Sequence, residues 1–493
     1  EVSLNLLNKY VKIDDQDPKE LADKITSIGL EVEGMHSLAN GNNMTIGYVK
    51  ECIDHPDSDH LHVCQVEVRP GEVTQIVCGA PNVAAGQKVI VANPGCDLGE
   101  GFVIKQSTIR GQESNGMICS MAELGLDQRL LSPEDKDGIH VLDENAPVGE
   151  DPLEYLGLKD TILDIGLTPN RADCMALTSL AYEVAAVLKR DVNLPTIKEK
   201  GIAGSNIEVK VETELCPFFG AKLVKGVTTK ESPAWLKTAL LASGIKPINN
   251  IVDISNYVML ETGQPLHYYD ADKLKGKLEV RMAVEGEELI TLDAIQRKLS
   301  VEDIVISDGN KAIGLAGVMG GLDTEITQNT KNIIIEAAIF DPVKIRMTAK
   351  TILRSEASSR FEKGLDPNRT YMAIERSCHL LETYAEATVA GGMAKYDTTS
   401  LEDTKIDITF EKINQVLGTI VPQEAVLDVF RRLGFSYQVE GKIVKVSVPK
   451  RRIDIHIPED LIEEVGRIYG VNNIEGRLPA LPIKAGSYDK VTR

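Results

Sequence analysis

MTIGYVKECIDHPDSDHLHVCQVEV, Met44–Val68, holds two short β-like runs separated by a Pro- and Asp-containing break. Similar runs follow in TQIVCGA, KVIVANPG and FVIKQSTIRG, each bounded by Gly, Pro, Asn or Asp, so the pattern from Met44 to about His140 predicts five short strands. Strands of that number and length fit a small barrel of the OB type.

Helices are predicted on either side of the barrel. In DQDPKELADKITSIGLEVEG, Asp17 is the expected N-cap, Pro18 takes the first helical position and Glu20 completes a capping-box arrangement. Leu21, Ile25 and Ile28 share one face, and Gly29 ends the helix. In NRADCMALTSLAYEVAAVLKR, Leu177, Leu180, Ala181, Val184 and Leu188 recur at helical spacing. A barrel inserted between them makes the N-terminal module discontinuous in sequence.

From about 208 to 395, strand-like runs (IEVKVE, GAKLVKGV, LEVRMAV, DIVISDG, NIIIEAAIF) alternate with helical ones (ESPAWLKTALLASG, RTYMAIERSCHLLETYAE), which predicts a larger α+β unit. A last module, from about Asp403 to Leu478, combines helices at FEKINQVLG, PQEAVLDVFRRLGF and PEDLIEEVGRIYG with a strand pair around YQVEGKIVKVSVP. The fold class expected is multidomain α+β.

Composition sets limits on function. The 493 residues are 43% hydrophobic, enough for several cores, and no stretch has the length and apolarity of a membrane span. The N-terminus lacks the layout of a secretory signal. Eight cysteines without CxxC pairs argue against zinc ribbons and for reduced thiols in a cytoplasmic protein. The net charge of −20 lowers the expectation of a nucleic-acid partner without removing it, since one module can carry a basic groove.

Four stretches bear on chemistry. RSEASSRFEKGLDP, Arg354–Pro367, sets small residues among charges and fits either a capped helix start or the wall of a pocket for a charged ligand. GLAGVMGG, Gly314–Gly321, matches no phosphate loop and instead implies close backbone approach to a ligand or a strand. His55, His60 and His62 match no zinc spacing and are expected in a solvated loop. Asp460, Glu463 and Glu464 share a helix face, with Asp454 upstream. Helix-dipole complementarity accounts for Glu459 and Asp460, whereas four converging carboxylates would suit a hard cation.

HPDSDHLHVCQVEV, IVCGAPNV, LTPNRADCMALTSLAYEVAA, KPINNIVDISNYVMLETGQPLHYYD, GLAGVMGG, IIIEAAIFDP, RSEASSRFEKGLDP and RRIDIHIPEDLIEEVGRIYGVNNI resemble, in this order, the β subunit of bacterial phenylalanyl-tRNA synthetase. The resemblance runs along essentially the whole chain. It implies an N-terminal helical domain at 1–38 and 153–205, an OB-fold tRNA-binding domain at 39–152, an editing domain at 206–398, a winged-helix-like domain at 399–478 and a linker at 479–493.

The resemblance also implies a function and partners. The β subunit joins an α subunit in an (αβ)2 heterotetramer that attaches phenylalanine to tRNA(Phe) with ATP and Mg2+. The β chain binds tRNA and hydrolyses mischarged tyrosyl-tRNA(Phe). Positions matching the editing motif are His267, Gly320, Glu336, Ser355 and Ala357, with Ser355 replacing a Thr of relatives. Those matching a Mg2+ site shared with the α subunit are Asp454, Asp460, Glu463 and Glu464. The alternative is a non-catalytic tRNA-binding and assembly scaffold, and a metal-dependent hydrolase built on the Asp454 cluster lacks a general base. Family members continue into further C-terminal modules, so the chain, without an initiator Met and ending at Arg493, is expected to be a fragment.

Overall fold

The computed structural model describes residues 1–197, 204, 207–274 and 276–475. The linker expected at 479–493 and the boundary at 205/206 lie outside the described residues. Among the described residues, no helix is long and apolar enough to cross a membrane.

The Pro18–Ser27 helix starts where Asp17 accepts hydrogen bonds from the backbone N–H groups of Lys19 and Glu20. Such a cap satisfies donors that the first helical turn leaves unpaired. After the helix, strand Glu31–Ser37 pairs with Thr161–Gly166, which also pairs with Val2–Ser3. One small antiparallel sheet therefore joins chain segments from before and after the barrel.

Between them, Met44–Asp54, His62–Arg69, Glu72–Cys78 and Lys88–Ala92 form most of a six-stranded antiparallel half-barrel. Alternation along the strands sends Val89 and Val91 to one core and Ile90 and Ala92 to another, so both faces are buried. The fifth predicted strand, FVIKQSTIRG, is not part of this sheet. Gly99, Gly101 and Gly111 take positive φ and break it into an isolated bridge and a separate Ser107–Ile109/Gln112–Ser114 hairpin. Val141–Leu142 and Met117–Ile118 complete the half-barrel instead.

The central module stacks two sheets. In the first, Leu266–Asp270, Asn332–Ile339 and Phe218–Lys225 are adjacent and antiparallel. Tyr268, Ile333, Ile335 and Ala337 face a core that includes helices Asn250–Thr262 and Pro367–Tyr384. That core continues into the N-terminal module through Leu7, Ile25 and Leu180, so packing does not stop at a domain boundary. Tyr269, Ile334 and Ala338 point the other way, toward the second sheet of Glu208–Val211, Lys277–Met282, Ile304–Ser307, Ala312–Leu315 and Met319–Gly320.

In the C-terminal module, Thr404–Thr409, Ile443–Val448 and Ser436–Glu440 form a three-stranded sheet against helices Phe410–Leu417, Gln423–Arg432 and Pro458–Tyr469. Ile28 and Ala186 of the N-terminal module complete its core.

Candidate active site

The site is built from the face of the first central sheet that looks toward the second. His267 and Tyr269 lie two apart on one strand and therefore share that face. Glu336 stands directly opposite His267 on the neighbouring strand. A cavity of about 80 Å³ opens over them, lined also by Pro265, Ala316, Gly317, Val318, Met319, Gly320, Ala357 and Phe361. Such a volume holds several water molecules.

Each predicted residue has a definite place in or beside this cavity. Gly320 leaves space for the imidazole: a Cβ added there would lie 2.2 Å from His267 Cε1 and 2.6 Å from Nε2. Ala357 lines the wall from the first turn of the Glu356–Phe361 helix. Ser355 does not line the cavity but is the N-cap of that helix, accepting from Ser358 N at 3.1 Å and donating to Val318 O at 3.0 Å. Ser358 returns a bond by accepting from Ser355 N at 2.8 Å. The capped helix start expected for this stretch is present, and it holds the glycine-rich turn that forms the cavity wall.

Electrostatics separate the two titratable groups. Burial pushes Glu336 up to about 7, against a downward pull from the Tyr269 hydroxyl, which donates to Oε2. Burial holds His267 down to about 4, so its imidazole is neutral at physiological pH. Among the described residues the His267 side chain makes no hydrogen bond, and its ring packs edge-on against Tyr269 with centroids 4.4 Å apart. A neutral imidazole with free nitrogens can orient a water or a hydroxyl.

Sequence reasoning did not single out Tyr269. The signal was available, because a residue two positions from His267 on a strand must share its face. Gln264 was missed as well. It is buried and donates to Ala338 O and Pro265 O, both at 3.0 Å, while Thr370 donates to its Oε1 at 2.8 Å. These bonds pin the entry to the His267 strand.

The carboxylates expected to hold a cation do not converge. Arg452 pairs bidentately with Asp454, at 2.9 and 2.6 Å, and also bonds Glu464. Arg467 bonds Glu464 as well, with Nε 2.8 Å from Oε1. Asp460 instead accepts from His456 N and Ile457 N at 2.7 and 3.0 Å, closing the helix start, and Glu463 is exposed. Among the described residues, no group of three or more His, Cys, Asp or Glu side chains is placed to hold a metal ion. The donor set as arranged does not fit Mg2+, because guanidinium groups already neutralise Asp454 and Glu464.

Arg451 and Arg452 are buried. Glu183 joins the cluster from the N-terminal module, 2.8 Å from Arg171 and 2.6 Å from Arg467. These guanidinium groups and that of Arg452 hold its carboxyl down to about 2 against the upward pull of burial. His55 is also buried, with Nδ1 accepting from Asp57 N and Nε2 bonded to Ile109 O, which makes it a structural loop residue.

Three domain families match the chain: "Putative tRNA binding domain" over residues 44–151, "B3/4 domain" over 215–386 and "tRNA synthetase B5 domain" over 406–471. The cavity lies wholly within the second. Among the relatives, the phenylalanine–tRNA ligase beta subunit of Geobacillus kaustophilus is 45% identical over 492 residues, 98% of this chain and 61% of the relative. Its namesake in Bacillus subtilis is 45% identical over 485 residues, 97% of this chain and 60% of the relative. That of Oceanobacillus iheyensis is 46% identical over 500 residues, with 98% and 61% covered. The chain therefore spans about 60% of the length of these relatives, and it belongs to the family of bacterial phenylalanine–tRNA ligase β subunits.

Proposed function

We propose that this chain is the tRNA-binding and proofreading part of a phenylalanine–tRNA ligase, and that the cavity over His267 and Glu336 hydrolyses tyrosyl-tRNA(Phe). The observation that carries this reading is that His267, Gly320, Glu336 and Ala357 line one cavity, with Ser355 bonded to its wall. An aminoacyl ester needs only a positioned water, help with proton transfer and stabilisation of the developing oxyanion. Neutral His267 orients the water or the terminal ribose. Glu336 accepts a hydrogen bond from the tyrosine phenol, and a site built for that bond discriminates strongly against phenylalanine, which lacks the hydroxyl.

The half-barrel, read as an OB-type domain at 39–152, supplies the tRNA contact. The module at 399–478 is read as winged-helix-like, and 206–398 as the editing domain. ATP-dependent ligation belongs in this reading to an α subunit, joined with the β chain in an (αβ)2 assembly in the cytoplasm. No step is assigned to Mg2+ at Asp454, Asp460, Glu463 and Glu464.

A second reading, a binding and assembly chain without hydrolytic activity, is favoured by the small cavity. A volume of about 80 Å³ is small for an aromatic ring, so entry calls for some adjustment of the lining. Hydrolysis of tyrosyl-tRNA(Phe) by the chain, compared with Glu336→Ala and His267→Ala, decides between the two. Deacylation sensitive to both substitutions supports proofreading, whereas no deacylation, or deacylation indifferent to both, sinks it.

A further inference from the structure

We propose that Tyr269 is a specificity-determining positioning residue of this cavity, whose phenol holds the Glu336 carboxylate ready to accept a hydroxyl from the aminoacyl ring. The inference rests on the proofreading reading above.

The geometry follows from strand register. Tyr269 is paired with Ile334 and His267 with Glu336, so Tyr269 and Glu336 are diagonal neighbours on one face of an antiparallel pair. Aromatic side chains can span that diagonal. The Tyr269 hydroxyl donates to Glu336 Oε2, and among the described residues it is the only hydrogen-bond donor that the carboxylate has. Among the described residues no donor is bonded to Oε1, and Glu336 lines the cavity.

The contact is itself a phenol–carboxylate bond. It is chemically the bond proposed for a tyrosyl substrate, made by a residue that is 1% exposed and packed edge-on against His267. Because one oxygen is occupied, the carboxylate cannot rotate freely, and the second oxygen is presented to the incoming ring. A charge-assisted bond of this kind is stronger than a neutral one.

Tyr269 also opposes the burial that favours protonation of Glu336. The other titratable groups facing Glu336 are His267, neutral at physiological pH, and the buried thiol of Cys216, which donates to Phe218 O. The helix Glu356–Phe361 contributes only Ala357 and Phe361 to the cavity. Among the described residues, no Lys or Arg forms an ion pair with Glu336. Losing the Tyr269 hydroxyl therefore moves ionisation of Glu336 to higher pH.

The test uses Tyr269→Phe, which keeps the ring and removes one oxygen. Titration calorimetry measures binding of 3′-tyrosylamino-3′-deoxyadenosine and its phenylalanyl counterpart, non-hydrolysable amides, to the chain and its variants at pH 7 and pH 9. The wild type should prefer the tyrosyl amide. Tyr269→Phe should weaken tyrosyl binding at pH 7 roughly tenfold, leave phenylalanyl binding unchanged and recover much of the loss at pH 9. An unchanged preference in Tyr269→Phe, or an equal loss for both amides, overturns the proposal while leaving Glu336 as the discriminating group. If Glu336→Ala also keeps the wild-type preference, the proofreading reading of the cavity fails and the role of Tyr269 falls with it.

Discussion

The imidazole of His267 lies against Gly320 so closely that a Cβ on Gly320 would sit 2.2 Å from its Cε1. No side chain fits there unless the ring moves. Gly320→Ala is therefore expected to displace His267 from the cavity. Small misplacements of a positioning group cost up to about a hundredfold in rate. Deacylation of tyrosyl-tRNA(Phe) should fall by that order while tRNA binding, measured by filter retention, stays within about twofold. Overpacking also predicts about 1–3 kcal/mol of destabilisation, readable by urea melts. Full deacylation in Gly320→Ala would show that His267 has no part in hydrolysis.

Glu336 makes stability depend on pH in a defined direction. Its folded value, about 7, lies above the ordinary 4.5, so the native state holds a proton that the unfolded chain releases. That contribution is full below about 4.5 and is lost as pH rises to about 7. Glu336→Gln mimics the protonated form and removes the dependence. Urea melts at pH 5 and pH 8 should show Glu336→Gln gaining on the wild type by about 3 kcal/mol at the higher pH. Equal changes at both pH values would mean that the carboxylate is already ionised at pH 5.

Much of this site could be read from the residues, and the unread part has a common cause. Glycines, small residues and a capped helix start at Ser355 are local features, legible in a single stretch. Tyr269 becomes informative only once the His267 strand is set beside the Glu336 strand, which is a matter of register. The acidic helix face was only partly legible for a similar reason. Spacing places Asp460, Glu463 and Glu464 on one face, but the counter-charges come from Arg452 and Arg467. Arg452 folds back on the helix from just before it, and Glu183 enters the cluster from a different module. FVIKQSTIRG has strand-like composition, and its neighbouring glycines with positive φ decide against it.

Ser355 links helix capping to the cavity wall. Ser355→Ala removes both the cap to Ser358 and the bond to Val318 O, and loss of a cap alone costs about 1 kcal/mol. Ser355→Thr keeps the hydroxyl and should be close to neutral. Thermal melts of the two variants should rank wild type and Ser355→Thr above Ser355→Ala. Hydrogen exchange at the Gly317–Gly320 turn should quicken only in Ser355→Ala. Equal exchange in both would mean that the Val318 bond does not hold the turn.

Arg452 is the counter-ion on which the cluster between modules depends. Its guanidinium is fully buried and serves Asp454 and Glu464 together, so removing it strands Asp454 and leaves Glu464 to Arg467 alone. Breaking such a buried pair from one side costs roughly 3–5 kcal/mol. Glu464→Gln is milder, because Arg452 retains Asp454 and Arg467 retains Glu183. Arg452→Met should therefore lower Tm more than Glu464→Gln. If the cluster is held by arginine and not by a cation, EDTA should leave the Tm of the wild-type chain unchanged, and added Mg2+ should not rescue Arg452→Met. A Tm that falls with chelation and is restored by Mg2+, with Asp454→Asn abolishing the response, would return these carboxylates to the role of metal ligands. In that case the Arg452 pairing would be the arrangement that the metal displaces.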